Sequence, residues 1–258
     1  MKKSICKAII SASLILILVG LTSFGLLKIG TKNETKTGNT GFVVLELFTS
    51  QGCSSCPPAD EVLANYATQN NPNIIPLAFH VDYWNYLGWK DPFSKSQFTE
   101  RQRNYSSQLK AQGNYTPQIV INGKHELVGS YKNEIDNLVS KELKLEPNFH
   151  VSINKAVVSN NELNVEYNSD ALPNTVVNLA LVKKKEFTSI KRGENTGLKQ
   201  TNYSIVFDFK TIQNSQRLNN KSSFIYKSDW LTSDFLIVAY IQNIKTGQII
   251  AATKSIIN

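Results

Sequence analysis

The prediction of the fold depends on the stretch Gln51-Gly52-Cys53-Ser54-Ser55-Cys56-Pro57-Pro58-Ala59-Asp60. The apolar run Val43–Phe48 leads into it and predicts a buried strand, and a helical spacing of apolar residues follows it, at Val62, Leu63, Tyr66 and Ala67. Proline directly after the second cysteine suits the first turn of a helix, where its missing N–H costs nothing. The sequence therefore places two cysteines, three positions apart, where a strand gives way to a helix.

A cysteine pair at such a junction can close a small disulfide ring and open it again. The first N–H groups of a helix lack partners within it, and the helix dipole puts partial positive charge there, so a thiolate is stabilised and its pKa falls. The pattern favours a redox-active dithiol. Two alternatives stay open: half of a metal site, although no second cysteine pair exists, and a fixed structural disulfide, although so small a ring removes little entropy from the unfolded chain.

Composition narrows the class of protein. The chain has 258 residues, enough for one large or two small domains, and a formal net charge of +8. It has no arginine-rich or basic–aromatic array and no glycine-rich phosphate loop, so we expect neither a nucleic-acid partner nor a cofactor. Of the three cysteines, Cys6 precedes the folded part, and the single pair that remains suits an oxidising compartment.

The N-terminal segment resembles an export signal. Residues 1–7 are basic and residues 8–27 are mostly apolar, which predicts a signal peptide or an uncleaved membrane anchor. The polar residues 28–41 are typical of a linker. We therefore expect an extracytoplasmic protein that is secreted, periplasmic or anchored outside the cytoplasm, and that contacts the membrane only through this segment.

In the rest of the chain, the pattern of apolar and polar residues changes near Pro147. Residues 42–146 predict strand, helix, strand, helix, strand, strand and helix, which is the order of the thioredoxin fold. Residues 147–258 predict about seven short strands and no strong helix, which is typical of a β-sandwich. The expected fold class is thus an α/β thioredoxin-like N-terminal domain plus a C-terminal all-β, sandwich-like domain.

The dipeptide Thr116-Pro117 falls just before the predicted third strand of the first half. Thioredoxin-like proteins are similar to one another in placing a cis-proline there, against the cysteine pair. We expect a cis bond, because proline is the residue for which cis is cheap, and its missing N–H leaves the preceding backbone free to pair with an extended substrate. The alternative is a trans-proline that begins an edge strand.

Several phrases of the chain closely resemble the DUF1223 family, a group of bacterial secreted proteins of the thioredoxin-like superfamily whose activity is not established. The phrases that carry this resemblance are Leu45–Asp60, His80–Trp84, Gly88–Asp91, Tyr115–Gln118 and Arg192–Asn195. The resemblance runs from about Val43 to the end and implies the thioredoxin-like fold but no substrate. The Trp-Cys-Gly-Pro-Cys form of ordinary thioredoxins is missing, so the direction of electron flow stays open.

The first functional hypothesis is thiol–disulfide exchange with a protein or a small thiol or disulfide. Similarity to thioredoxin-like proteins implies that Cys53 is the more exposed cysteine and reacts first, while Cys56 resolves the mixed disulfide. Thr116 and Pro117 would present backbone to a substrate peptide. Glu46 is a candidate buried carboxylate that relays protons to Cys56, or else an exposed residue at a strand end.

Two further hypotheses belong to other classes. Cys53, Cys56 and His80 could offer ligands to copper(I), although a lone histidine at a strand end is more often a hydrogen-bonded structural residue. The chain could also be a non-catalytic binding protein of the cell envelope. An aromatic segment would then dock the partner or, alternatively, cover the junction between the two domains; it contains Trp84, Tyr86, Trp89 and Phe93. Glu194 and Asn195 would reach the same cleft or, alternatively, belong to a capped polar turn.

Overall fold

The computed structural model describes residues 41–214 and 218–258. The predicted leader or anchor, Cys6 and all of the linker except Gly41 therefore lie outside the described residues. Within the described ranges, no helix is both long enough and apolar enough to cross a bilayer.

The described chain contains three α-helices, which are α1 (Pro57–Thr68), α2 (Ser96–Gln108) and α3 (Lys132–Glu142). The strands of the first half are β1 (Val43–Thr49), β2 (Ile74–His80), β3 (Gln118–Ile121) and β4 (His125–Val128). Those of the second half are β5 (Val151–Ser159), β6 (Glu162–Ser169), β7 (Thr175–Ser189), β8 (Lys199–Gln213), β9 (Asn220–Ile225), β10 (Phe235–Asn243) and β11 (Ile249–Ile256).

The strands form two sheets, and the larger one runs through both halves of the chain. Its eight strands lie in the order β11-β10-β7-β8-β2-β1-β3-β4, and the smaller sheet has the order β5-β6-β9. The halves meet where β2 pairs in parallel with β8 at Ala78 and Ile205. The predicted fold class, a thioredoxin-like α/β domain plus a separate all-β domain, is therefore wrong: the described chain is mostly β and is built on one mixed sheet.

The length of the β7–β8 hairpin explains why the sequence predicted two separate domains. Each strand has 15 residues, whereas the apolar signal covers only Val176–Val182 and Tyr203–Phe209. The outer parts of both strands are largely polar, and even the buried residues Gln200 and Asn202 of β8 are polar, so no apolar alternation marks these parts. The pairing of β8 with β2 joins residues far apart in the chain and leaves no local trace in the sequence.

Strand β1 is the fixed support of the loop that follows it. All seven of its residues are buried. Its side chains alternate between two cores, because successive residues of a strand point to opposite faces. Val44 and Phe48 pack in the core that contains Phe98 and Tyr105 of α2. Leu45 and Leu47 pack on the other face, in the core that holds apolar residues of α1 and α3.

Candidate functional site

Cys53 and Cys56 are joined by a disulfide in the turn between β1 and α1. Cys56 is the N-cap of α1, and the two prolines that follow it occupy the first positions of the helix. Backbone bonds shape the turn, since the N–H of Cys53 donates to Ser50 O at 3.1 Å and that of Cys56 to Cys53 O at 3.2 Å. The strand-to-helix position of the pair is as predicted.

Both cysteines are fully buried, with 0% of their surface exposed. The expectation that Cys53 is the more exposed sulfur is therefore wrong for this conformation. The two serines between the cysteines are exposed. An incoming thiol must consequently displace side chains around Cys53 before it reaches the sulfur.

Thr116 lies directly against Cys53. The Thr116–Pro117 peptide bond is cis, as expected from the sequence. The Thr116 hydroxyl donates to Cys53 Sγ at 3.2 Å and itself accepts a hydrogen bond from Trp84 Nε1 at 2.8 Å, while the Thr116 carbonyl oxygen lies 3.9 Å from the same sulfur. The backbone and side chain of one residue thus form the wall of the disulfide.

A buried ion pair supports the turn from behind. His80 Nδ1 donates to Asp91 Oδ2 at 2.7 Å, and the same carboxylate oxygen accepts the N–H of Gln51 at 2.8 Å. Burial lowers the pKa of His80, but the charge of Asp91, its hydrogen bond and the charge of Asp60 together outweigh burial, so the net shift is upward. Burial raises the pKa of Asp91, but His80 and backbone N–H groups outweigh it, so the net shift is downward. Both shifts favour the ionised form of the pair.

Asp60 is a second buried carboxylate, one helical turn after Cys56. It accepts hydrogen bonds from Thr49 Oγ1 at 3.0 Å and from Gln200 Nε2 at 2.7 Å. Burial raises the pKa of Asp60 to about 6, despite the opposing effects of His80 and of these two bonds. The sequence motifs do not identify Asp60 as a site residue. The available signal was an acidic side chain on the apolar face of α1, between Ala59 and Val62.

The loop between β7 and β8, residues 190–198, covers the turn from the front. Asn195 Nδ2 donates to two backbone oxygens of the turn, Gln51 O at 3.0 Å and Cys53 O at 2.9 Å. The N–H of Ser54 donates to Glu194 Oε2 at 3.2 Å. The phrase Arg192–Asn195 is therefore in contact with the cysteine turn, although most of the chain separates the two in sequence.

Comparison with known proteins identifies the family of the chain. The family model "Protein of unknown function (DUF1223)" matches residues 44–242. The chain belongs to the DUF1223 family. A crystal structure of the protein AGR_C_4864 from Agrobacterium tumefaciens is 28% identical and has a TM-score of 0.65; the match covers 84% of this chain and 94% of that one.

A more distant structural match is a domain of the outer membrane lipoprotein Omp28 from Porphyromonas gingivalis. It is 13% identical with a TM-score of 0.26, and the match covers 43% of this chain and 95% of that domain. No curated protein matches the chain.

Glu46 of this DUF1223 chain is a buried carboxylate, as the first of the two alternatives expected, but its hydrogen bonds go to Arg101, Tyr105 and Tyr240. It is fully buried, so it is not an exposed strand end. It accepts from Arg101 Nη2 at 2.8 Å, from Tyr240 OH at 2.7 Å and from Tyr105 OH. Because Glu46 alternates with Leu45 and Leu47, which pack on α1, it faces the opposite side of the sheet from that helix. Glu46 balances Arg101 and does not contact the cysteine turn.

The described ranges contain no site that fits the copper hypothesis. No group of three or more His, Cys, Asp or Glu side chains there is arranged to hold a metal ion. His80 is fully buried and its Nδ1 is engaged by Asp91, which matches the structural role weighed for it.

The aromatic segment of the DUF1223 chain divides into side chains with different roles. Trp84 and Trp89 donate to the site, Trp84 to Thr116 and Trp89 Nε1 to Gln51 Oε1 at 3.1 Å. Phe93 packs its ring against His80 and against Phe207 of β8, so it bridges the two halves. Tyr86 is 80% exposed. One exposed ring does not form a docking patch by itself.

Proposed function

We propose that this protein carries out thiol–disulfide exchange through Cys53 and Cys56, outside the cytoplasm. The observation that supports this most strongly is a closed disulfide at the start of a helix, with the hydroxyl of Thr116 donating to Cys53 Sγ. The helix dipole favours the Cys56 thiolate that leaves when the ring opens, and the Thr116 hydroxyl favours the Cys53 thiolate of the reduced pair. A disulfide also suits an oxidising compartment.

The proposed exchange begins when a substrate thiolate attacks Cys53 Sγ. A bond forms between the substrate and Cys53, the bond between the cysteines breaks, and its electron pair leaves on Cys56 as a thiolate. A second substrate thiolate then attacks the substrate sulfur and leaves a substrate disulfide and two protein thiols, and the reverse sequence reduces a substrate. Thr116 and Pro117 are the proposed backbone platform for a substrate peptide, since the Thr116 carbonyl flanks the reacting sulfur.

The burial of both sulfurs favours a second candidate, a binding protein whose disulfide only braces the turn. A structural disulfide is sealed and resists reduction, whereas a catalytic one exchanges readily. The two candidates therefore differ in how fast the ring opens.

Turnover of a fluorescent peptide disulfide by the full-length chain, with dithiothreitol as the reductant, separates them. We expect catalysis by the native protein, loss of turnover in Cys53→Ser, and a trapped mixed disulfide in Cys56→Ser. Cys6→Ser is the matched control, because it removes a cysteine that precedes the folded part, and it should leave turnover unchanged. Equal rates for the native protein and Cys53→Ser would replace the exchange proposal with the structural one.

A further inference from the structure

We propose that Glu194 makes Cys53 a weaker acid, and thereby biases the pair toward the disulfide. Its carboxylate holds the N–H of the residue next to Cys53 and places a negative charge there, which disfavours the thiolate. The biological weight of this inference rests on the proposed exchange, for which it would set the preferred direction of electron flow. The effect of Glu194 on the acidity of Cys53 can be measured on the purified chain without a substrate.

The first argument is an inventory of backbone donors around the sulfur. A cysteine before a helix owes its acidity largely to free N–H groups of the first turn. Here the N–H of Ser54 is taken by Glu194 Oε2 at 3.2 Å, and that of Cys56 by Cys53 O at 3.2 Å. Pro57 and Pro58 have no N–H. Around the sulfur, the N–H groups of Ser54 and Cys56 are thus occupied, those of the two prolines are missing, and Glu194 occupies the one directly beside Cys53.

The second argument is that Glu194 is held in place by its loop. The neighbouring Asn195 makes two hydrogen bonds to the turn, at 3.0 Å to Gln51 O and at 2.9 Å to Cys53 O. Gly193 has a φ of +75°, and a Cβ built on it would come within 3.3 Å of Trp89 Cβ. Glycine at this position lets the loop approach Trp89 closely. The carboxylate is therefore positioned on the turn by contacts on both sides of it in sequence.

Other groups around the turn act on Cys53 as well. The Thr116 hydroxyl donates to the sulfur and favours the thiolate. Behind the turn, the charges of His80 and Asp91 oppose each other, while an ionised Asp60 adds to the effect of Glu194. Lys191 and Arg192 are exposed on the same loop as Glu194. Among these groups Glu194 is the carboxylate that accepts a hydrogen bond from the Cys53–Cys56 segment itself.

The equilibrium with glutathione should show the effect of Glu194 as a specific dependence on pH. Reduction by glutathione converts one protein disulfide and two glutathione thiols into two protein thiols and one glutathione disulfide. The disulfide and the neutral thiols do not interact with the charge of Glu194, whereas the Cys53 thiolate does. The effect of Glu194 on this equilibrium must therefore be small below the pKa of Cys53 and grow above it.

The test compares the full-length native protein with Glu194→Gln, which keeps an oxygen acceptor for Ser54 and removes the charge. The pKa of reduced Cys53 is read from the pH dependence of its alkylation by iodoacetamide, resolved by peptide mass. We expect the pKa to fall by about half a unit to one unit in the variant. We expect the equilibrium with glutathione to shift toward the dithiol by about two- to eightfold at pH 9, and to be nearly unchanged at pH 6.

Two companions complete the test. Glu61→Gln removes an exposed carboxylate of α1 and should leave the pKa of Cys53 unchanged. Asn195→Ala releases the loop, so its effect and that of Glu194→Gln should be less than additive when combined. An unchanged Cys53 pKa in Glu194→Gln, or a glutathione shift of equal size at pH 6 and pH 9, overturns the inference. If the native protein shows no turnover but the Cys53 pKa still falls in Glu194→Gln, the proposed exchange is removed. The effect of Glu194 on the acidity of Cys53 then remains.

Discussion

Asp60 connects a single carboxyl group to the pH dependence of the whole fold. Burial raises its pKa from 3.8 to about 6, so the folded state binds its proton more tightly than the unfolded state does. The stabilisation from that proton is complete below pH 4 and is lost as the pH rises through 6. A shift of this size corresponds to about 3 kcal/mol between those limits.

Asp60→Asn should therefore stabilise the protein at pH 7 and leave it nearly unchanged at pH 4. Asparagine is neutral like the protonated acid, and its amide can donate to Gln200 Oε1, which is buried without a partner in the described chain. We expect a gain of about 1–3 kcal/mol in the free energy of unfolding at pH 7, measured by urea titration at both pH values. If the variant is less stable than the native protein at pH 7, the interactions of the Asp60 carboxylate stabilise the fold by more than the burial of its charge destabilises it.

Glu46 and Arg101 form an ion pair on the other face of β1, and the side chain of Glu46 is fully buried. Glu46→Gln should destabilise the fold by about 3 kcal/mol or more, because it leaves the Arg101 charge without its counter-ion. The double variant Glu46→Gln/Arg101→Met should recover part of that loss, since it removes both charges. Urea unfolding measures all three proteins.

The exposed carboxylate of Glu100 provides the control for this pair. Its ion pair with Arg103 lies on the surface of α2, so Glu100→Gln should change stability by less than about 0.5 kcal/mol. The folded Glu46→Gln protein should also keep the native pH profile of Cys53 alkylation, because Glu46 does not contact the turn. A changed profile would restore Glu46 as a proton relay.

At the scale of elements, the wall beside the disulfide depends on the close approach of β4 to α1. Gly129 follows β4, and its N–H donates to Pro117 O at 2.9 Å. A Cβ on this glycine would lie 2.6 Å from Leu47 Cδ1 and 3.0 Å from Ala59 Cβ. Strand, helix and proline therefore converge on a position that has no room for a methyl group.

Gly129→Ala should cost about 1–3 kcal/mol of stability, because the added methyl overpacks this junction. The rate at which dithiothreitol reduces the disulfide should also change, since Ala59 and Pro117 both border the turn. Thermal unfolding and the reduction rate measure the two effects. Ser130→Ala is the control, as it changes the next residue without adding volume. Native behaviour of Gly129→Ala in both measurements would contradict the packing argument.

For the whole molecule, local patterns predicted individual elements and failed at their assembly. The strand before Cys53 and the helix after Cys56 follow from residue types at short range, whereas the cis bond at Thr116 is expected from similarity to thioredoxin-like proteins. The joining of β2 to β8 follows from contacts between distant residues, which no periodicity encodes. The same limit applies to the site. Its cysteines were visible in the sequence, whereas the contact of Asn195 with Cys53 O depends on how the β7–β8 hairpin folds back.

The shared sheet and its aromatic core predict that both halves unfold together. Phe79 of β2 packs on Phe209 of β8, with ring centroids 5.4 Å apart, and such a buried contact is lost only when both strands separate. The three tryptophans offer probes, because Trp84 and Trp89 lie in the first half and Trp230 in the second. Trp230→Phe reports the first half by fluorescence, and Trp84→Phe/Trp89→Phe reports the second.

In each tryptophan variant, the fluorescence transition in urea should coincide with that variant's own circular dichroism transition, as two-state unfolding requires. Comparing two signals within one protein removes the effect of the substitutions on overall stability. Phe209→Ala provides the matching perturbation. This substitution opens a cavity between the halves, so it should lower the free energy of unfolding by about 3–5 kcal/mol. The urea midpoints reported by both probes should fall together. Separate transitions, or a loss confined to the Trp230 signal, would mean that the sheet joins two units that fold independently.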